Sequence, residues 1–213
     1  MKAMIVPVTA FSQNCTILWC EDTLEAAVVD PGGDLDEIVA AAERKGLKIV
    51  KILLTHGHVD HVAGTKGLKD KLEVPVEGPH VEDKFLLEQL PETARGYGFP
   101  PAPTFTPDRW LNEGDTVSFG NVTLGVLHCP GHTPGHVVFF SETERVAIVG
   151  DVIFQGSVGR TDFPRGNAKD LIHSIRTKLW PLGDDVVFIP GHGPLSSFGD
   201  ERKTNPYVRD GQA

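Results

Sequence analysis

Short apolar runs at 3–9, 14–20 and 26–30 are separated by polar breaks at Ser12-Gln13-Asn14 and Glu21-Asp22, which predicts a meander of three strands. Leu35, Ile38, Val39 and Ala42 then recur at helical spacing, with Asp34 and Glu37 placed to cap that helix and Gly46 to end it. Residues 48–54 read as a central strand. A helix is expected from about Asp60 to Leu72. Another is expected from Pro79, with Val81, Phe85, Leu86 and Leu90 on one face. Gly96, Gly98 and four prolines mark 96–107 as a surface loop, a lid or a contact surface. Strands follow at 116–119, 122–128, 136–141 and 145–149. A helix after Asn167 carries Leu171, Ile172, Ile175 and Leu179, and a strand at 186–189 comes last. No repeat, low-complexity tract or shift in composition divides the chain, so one domain is expected over 1–213. Two blocks of strands, each with helices, predict an α/β or α+β architecture of layered sheets with helices outside.

Composition narrows the function more than the fold. The 213 residues carry a formal net charge of −9. That argues against a nucleic-acid coat or a polybasic membrane arm, since both need clustered positive charge. No apolar run is long enough to cross a bilayer, and the N-terminal residues lack the stretch of a secretory signal. The expectation is a cytoplasmic, soluble protein with no nucleic-acid or membrane partner. Cys15, Cys20 and Cys129 are odd in number and do not form a disulfide framework; they read as small buried apolar residues.

The chemistry concentrates in Thr55-His56-Gly57-His58-Val59-Asp60-His61. Three imidazoles and one carboxylate fall within six residues, directly after an apolar strand, where α/β proteins place their sites. In an extended stretch His56 and His58 point to the same side, and Asp60 and His61 open the next helix and can reach back. Imidazole nitrogen and carboxylate oxygen are ligands that zinc, iron and manganese accept. Three more positions follow strands beside glycine: His132 in Cys129-Pro-Gly-His-Thr-Pro-Gly-His136, Asp151 in Val149-Gly-Asp, and His192 in Pro190-Gly-His-Gly. Glycine there lets the backbone turn sharply and approach an ion.

His-x-His-x-Asp-His followed by separate His, Asp and His resembles the metallo-β-lactamase superfamily over essentially the whole chain. Asp30-Pro31-Gly32, His132-Thr-Pro-Gly-His136 and Gly159-Arg-Thr-Asp-Phe-Pro164 look like its glyoxalase II branch, and the single-domain bacterial members in particular. The resemblance implies a four-layer αβ/βα sandwich of two mixed sheets. It implies two divalent ions at one edge, zinc first and iron or manganese as alternatives. It places His56, His58 and His132 on one ion, Asp60, His61 and His192 on the other, and Asp151 between them. It implies hydrolysis of a 2-hydroxyacyl-glutathione thioester of the S-lactoylglutathione type by a metal-bridging hydroxide, which Asp60 would orient as well as binding metal. Iron-dependent persulfide dioxygenation, or lactone and ester hydrolysis, are the alternatives on the same site. By the same resemblance, Arg160 would hold the glutathione carboxylate; otherwise it is a solvated or ion-paired partner of Asp162. The C-terminal helical glutathione-binding domain of full-length glyoxalase II is not expected here. The partner expected is a small-molecule thioester, and the assembly a monomer or homodimer. Asp30, His128 and His136 are expected to support the ligands or the fold without binding metal, and His80 and His173 to be surface or packing residues.

Overall fold

A computed structural model describes residues 1–211. Its first sheet runs in the order β1 (Lys2–Val8), β2 (Gln13–Trp19), β3 (Glu25–Val29), β4 (Lys48–Leu53) and β5 (Val76–Glu77). The first three strands are antiparallel, and β3, β4 and β5 are parallel. The second half of the chain supplies β6 (Thr116–Phe119), β7 (Val122–His128), β8 (Val137–Ser141) and β9 (Val146–Gly150). A small hairpin, β10 (Ile153–Phe154) and β11 (Ser157–Val158), stands apart. β12 (Val187–Pro190) and β13 (Ser196–Ser197) complete a second sheet of order β13-β12-β9-β8-β7-β6. It too is mixed, because β12 runs parallel to β9.

Near-continuous apolar runs in β3, β8 and β9 arise because these strands are buried on both faces. Ala27 and Val29 of β3 face Val137 and Phe139 of β8 and Ile148 of β9 in a core between the sheets. The alternate residues Ala26 and Val28 point outward, into a second core with Ile38 of helix α1 (Leu35–Glu43). On the other side Val138, Phe140, Ala147 and Val149 meet Leu171 of a later helix. Three cores separate four layers, so the sandwich of two mixed sheets with helices outside is what the chain forms.

Local details differ from the sequence reading. The helix expected from Asp60 to Leu72 is two helices, α2 (Val59–Val62) and α3 (Thr65–Leu72), interrupted at Ala63-Gly64. The amide of Gly64 donates to the Pro31 carbonyl at 3.0 Å, so a tertiary contact takes over where the helix breaks. The element expected from Pro79 begins as a single 3-10 turn at Val81–Asp83. It continues as α4 (Lys84–Glu88), then α5 (Leu90–Tyr97), with Pro91 at the start of α5. Asp34 does not cap α1 with its side chain; that carboxylate accepts from the Thr9 amide instead, at 2.7 Å. The helix after Asn167 is α6 (Ala168–Ser174), followed by a π-helical turn over Ile175–Leu179. A final helix, α7 (Phe198–Thr204), has no counterpart in the expectations. Among the described residues no helix is long and apolar enough to cross a membrane. Cys15, Cys20 and Cys129 are buried and free.

Candidate metal centre

Five strand ends deliver the site to one edge of the sandwich. Asp30 follows β3, the Thr55–His61 segment follows β4, His132 follows β7, Asp151 follows β9 and His192 follows β12. The amide of Val137 donates to the Thr55 carbonyl at 2.8 Å, tying the two sheets together there. Gly191 lets the last loop close: a Cβ at that position would lie 2.1 Å from Asp151 Oδ1 and 2.6 Å from the His61 ring. Asn14 fastens the same loop, donating to the carbonyls of Pro190 and Gly193 at 3.0 and 2.9 Å.

The seven side chains come together in two groups. In the first, His58 Nδ1 lies 3.1 Å from His56 Nε2 and 2.9 Å from His132 Nε2. In the second, His192 Nε2 lies 3.1 Å from Asp60 Oδ2, and His61 Nε2 lies 3.8 Å from the same oxygen. Asp151 joins them: its carboxylate oxygens stand 3.4 Å from His61, 3.6 Å from His132 and 3.8 Å from His192. The ligand atoms of each group lie within 4.8 Å of one another.

The remaining hydrogen bonds assign the ring nitrogens. His61 Nδ1 donates to Asp30 Oδ2 at 2.9 Å, and His132 Nδ1 donates to the Arg160 carbonyl at 2.7 Å. The Thr55 hydroxyl donates to Asp30 at 2.5 Å, which leaves it to accept from His56 Nδ1 at 3.0 Å. In all three rings Nε2 is thereby turned toward the cluster, the orientation that outer hydrogen bonds impose on metal-binding imidazoles. Asp30, His56 and His61 also form a compact group. Asp30, however, already accepts from the Thr55 amide, the Thr55 hydroxyl and His61. Its place is therefore support, in keeping with the expectation for it.

The residues fit a pair of cations on an observation independent of any likeness. His61 Nε2 and Asp151 Oδ1 are buried, face each other and have no hydrogen-bond partner. Electrostatics divides the two groups. Burial, reinforced by neighbouring imidazoles, drives His56 well below the usual histidine range and His58 down to about 3. Burial likewise lowers His132. These three are neutral at pH 7, the form a metal requires. At His61 burial acts in the same direction but is outweighed by Asp151, Asp60 and Asp30, which hold the ring well above its ordinary value. His192 is raised in the same way, by Asp60 and Asp151 against burial. At Asp151 burial is outweighed by His61, His132 and His192, and its carboxyl lies well below the usual range.

The other histidines lie outside the two groups. His136 stacks on His56 with ring centroids 4.6 Å apart and accepts from the Asp151 amide at 3.0 Å. His80 and His128 stack on each other at 4.1 Å, and His173 is exposed on α6. Arg160 is placed differently from the seven clustered side chains. Its guanidinium is exposed, forms a two-bond pair with Asp162 at 2.8 and 2.9 Å, and lies over the Phe163 ring. The contact it makes with the cluster runs through its carbonyl. Phe163 packs edge-on against His58 and His132. A groove of about 490 Å³ lies between the β1–β2 turn and the loop after α5, with Phe11, Tyr97 and Phe99 in its wall; none of the seven side chains lines it. Sequence reading missed Gln13, Asn14, Thr55, Thr133 and Asp83, all buried polar residues at this edge.

The family model described as the Metallo-beta-lactamase superfamily matches residues 8–192. The hydroxyacylglutathione hydrolase GloC of Haemophilus influenzae is 47% identical over 209 residues, covering 98% of each chain. The crystal structure of the B3 metallo-beta-lactamase BLEG-1 superposes with a TM-score of 0.89 at 34% identity, over 97% of this chain and 99% of that one. TTHA1623, solved in a di-iron-bound form, gives 0.87 at 35% identity, over 96% and 100%. With its two mixed sheets and its edge of histidines and aspartates, the chain belongs to the metallo-β-lactamase superfamily and is a metallo-hydrolase.

Proposed function

We propose that the chain hydrolyses 2-hydroxyacyl-glutathione thioesters with two divalent ions. His56, His58 and His132 hold one, Asp60, His61 and His192 the other, and Asp151 spans both. The observation that carries the reading is Asp151, whose two oxygens stand within 3.8 Å of histidines from both groups. The full-length likeness to GloC supports the choice of thioester. Zinc suits these nitrogen and oxygen donors, and the di-iron form of TTHA1623 makes iron the alternative. When bound, such ions lower the pKa of water and draw charge from a carbonyl.

The chain's own residues do the rest. Asp60, partly open to solvent and held below the usual carboxylate range by His61 and His192 against burial, would orient the attacking water besides holding metal. Asp30, Thr55 and the Arg160 carbonyl keep three imidazoles from turning. Phe163 covers one flank of the first group and excludes water from it. The Arg160 side chain, once released from Asp162, grips a substrate carboxylate through two parallel hydrogen bonds. Buried, unoxidised thiols and a glutathione-linked substrate both suit the cytoplasm.

Metal analysis of the purified chain, paired with S-lactoylglutathione, tests the reading. The expected result is two ions per chain and loss of the thioester absorbance, abolished in Asp60→Ala. Oxygen uptake with glutathione persulfide, or turnover of a lactone or a β-lactam in place of the thioester, would overturn it.

A further inference from the structure

One buried carboxylate near the site belongs to neither metal group and lies outside the motifs the family resemblance rests on. Asp83 ends the 3-10 turn Val81–Asp83 and is fully buried. Its Oδ2 accepts from the Gly57 amide at 2.8 Å and from the Thr133 hydroxyl at 2.8 Å. Its Oδ1 accepts from the Gly135 amide at 2.6 Å. Gly57 lies between His56 and His58, Thr133 follows His132, and Gly135 precedes His136. One side chain therefore holds the backbones on either side of the first group, from positions 26 and about 50 residues away in the chain.

The rest of the turn repeats the pattern. The His80 amide donates to the Gly135 carbonyl at 3.0 Å. Arg165 pairs with Glu82 and lies over the Phe85 ring, so the loop carrying the Arg160 carbonyl is fastened to the same element. The fit leaves no slack: a Cβ at Gly135 would lie 2.6 Å from Asp83 Oδ1, and one at Gly57 would lie 2.9 Å from the Leu86 Cβ.

We propose that Asp83 is the positioning residue of the first metal group, setting the separation of His56 and His58 from His132 by bonding both of their loops at once. This role rests on reading that group as a metal site. A carboxylate suits it because it only accepts hydrogen bonds and has room for all three donors. An amide has one accepting oxygen, so Asp83→Asn must turn its NH2 against an N–H of one loop or the other. Asp30 stands behind His61 in the second group and, through the Thr55 hydroxyl, behind His56 as well, whereas Asp83 touches the loops of the first group alone.

The test is zinc affinity, read by competition with a chromogenic chelator on metal-free protein. Asp83→Asn is compared with its parent in two backgrounds: His192→Ala, which leaves the first group intact, and His58→Ala, which leaves the second. Loss of outer hydrogen-bonding support lowers metal affinity about 10- to 100-fold. The expected outcome is about a tenfold loss in the His192→Ala background and less than about twofold in the other. Amide exchange at Gly57 and Gly135 in the metal-free chain rises with it. Thr133→Val removes one of the three bonds, is expected to give a smaller loss of the same kind, and carries the test if Asp83→Asn does not fold. Equal losses in both backgrounds, or none, would overturn the role while leaving the metal centre standing. A wild-type chain that takes up no zinc would overturn both.

Discussion

Replacing Asp30 by Asn separates the support of the second group from the fold around it. Asp30 sits at φ 53°, in the left-handed region, which Asn tolerates better than other residues, so the backbone is left alone. The carboxylate accepts from the Thr55 amide at 2.7 Å, the Thr55 hydroxyl at 2.5 Å and His61 Nδ1 at 2.9 Å. With its oxygen in the Oδ2 position, the amide keeps the hydroxyl and the ring and turns its NH2 against the Thr55 N–H. One buried donor then loses its partner, which costs about 1–3 kcal/mol. For a chain of this size that lowers Tm by about 2–4 °C per kcal/mol, so about 4–8 °C for a loss near 2 kcal/mol. The anion behind His61 is lost as well. With the ring's bond kept and its charge lost, zinc affinity at the second group should fall about tenfold, and the first group, whose His56 follows Thr55, should weaken less. Thermal unfolding with a chelator present reads the first effect, and competition titration reads the second. If Asp30→Asn melts within about 1 °C of wild type and keeps both affinities, the hydrogen bonds assigned to Asp30 do not support the centre.

Gly191→Ala puts a methyl against Asp151 Oδ1 and the His61 ring; overpacking of this kind costs about 1–3 kcal/mol, and the zinc titration should show the second group weakened before the first. Burial, against the pull of its hydrogen bonds to Thr133, Gly57 and Gly135, raises Asp83 from an ordinary 3.8 to about 6. A raised carboxyl stabilises the fold below the unfolded pKa and loses that contribution as pH rises through the folded one. Metal-free wild type should therefore lose about 2 kcal/mol more than Asp83→Asn between pH 4 and 7, read by urea unfolding; identical pH profiles would contradict it. Arg160→Ala breaks an exposed pair and should leave Tm unchanged. If its guanidinium binds a substrate carboxylate, KM for S-lactoylglutathione rises severalfold with kcat kept, and an unchanged KM removes Arg160 from the site.

Strands buried on both faces were legible because each face has its own core, so alternate residues of β3 and β9 are both apolar. The seven cluster residues were legible for a different reason. Imidazoles and carboxylates are costly to bury in number without a counter-ion, so four of them within six residues of a strand end already require an explanation. What was hidden depends on partners distant in the chain. The break at Gly64 depends on the Pro31 carbonyl, and the capping role expected of Asp34 is lost because the Thr9 amide competes for its carboxylate. Asp83 lies in an amphipathic run with nothing local to distinguish it from a surface acid. Its three donors come from loops that reach it only in the folded chain. Arg160 shows the reverse. The motif draws attention to its guanidinium, yet the contact the fold makes runs through its carbonyl.

The contrast between the two groups follows from where the carboxylates sit. The first is three imidazoles, and burial with mutual repulsion keeps them neutral, ready to accept a cation without first releasing a proton. The second gathers Asp60 and Asp151 around His61 and His192, and these carboxylates raise both rings against burial, so protons compete for the same nitrogens. A cation entering there must displace protons, so its binding weakens as pH falls, while the first group is less affected. The same carboxylates make the second group the better place to hold and orient water. It is also the more open: His192 keeps 29% of its side chain exposed and Asp60 15%, against 4% for His132 and none for His56 in the first. The proposed hydrolysis therefore has its open side at the second group, with the loops of the more buried first group tied together through Asp83.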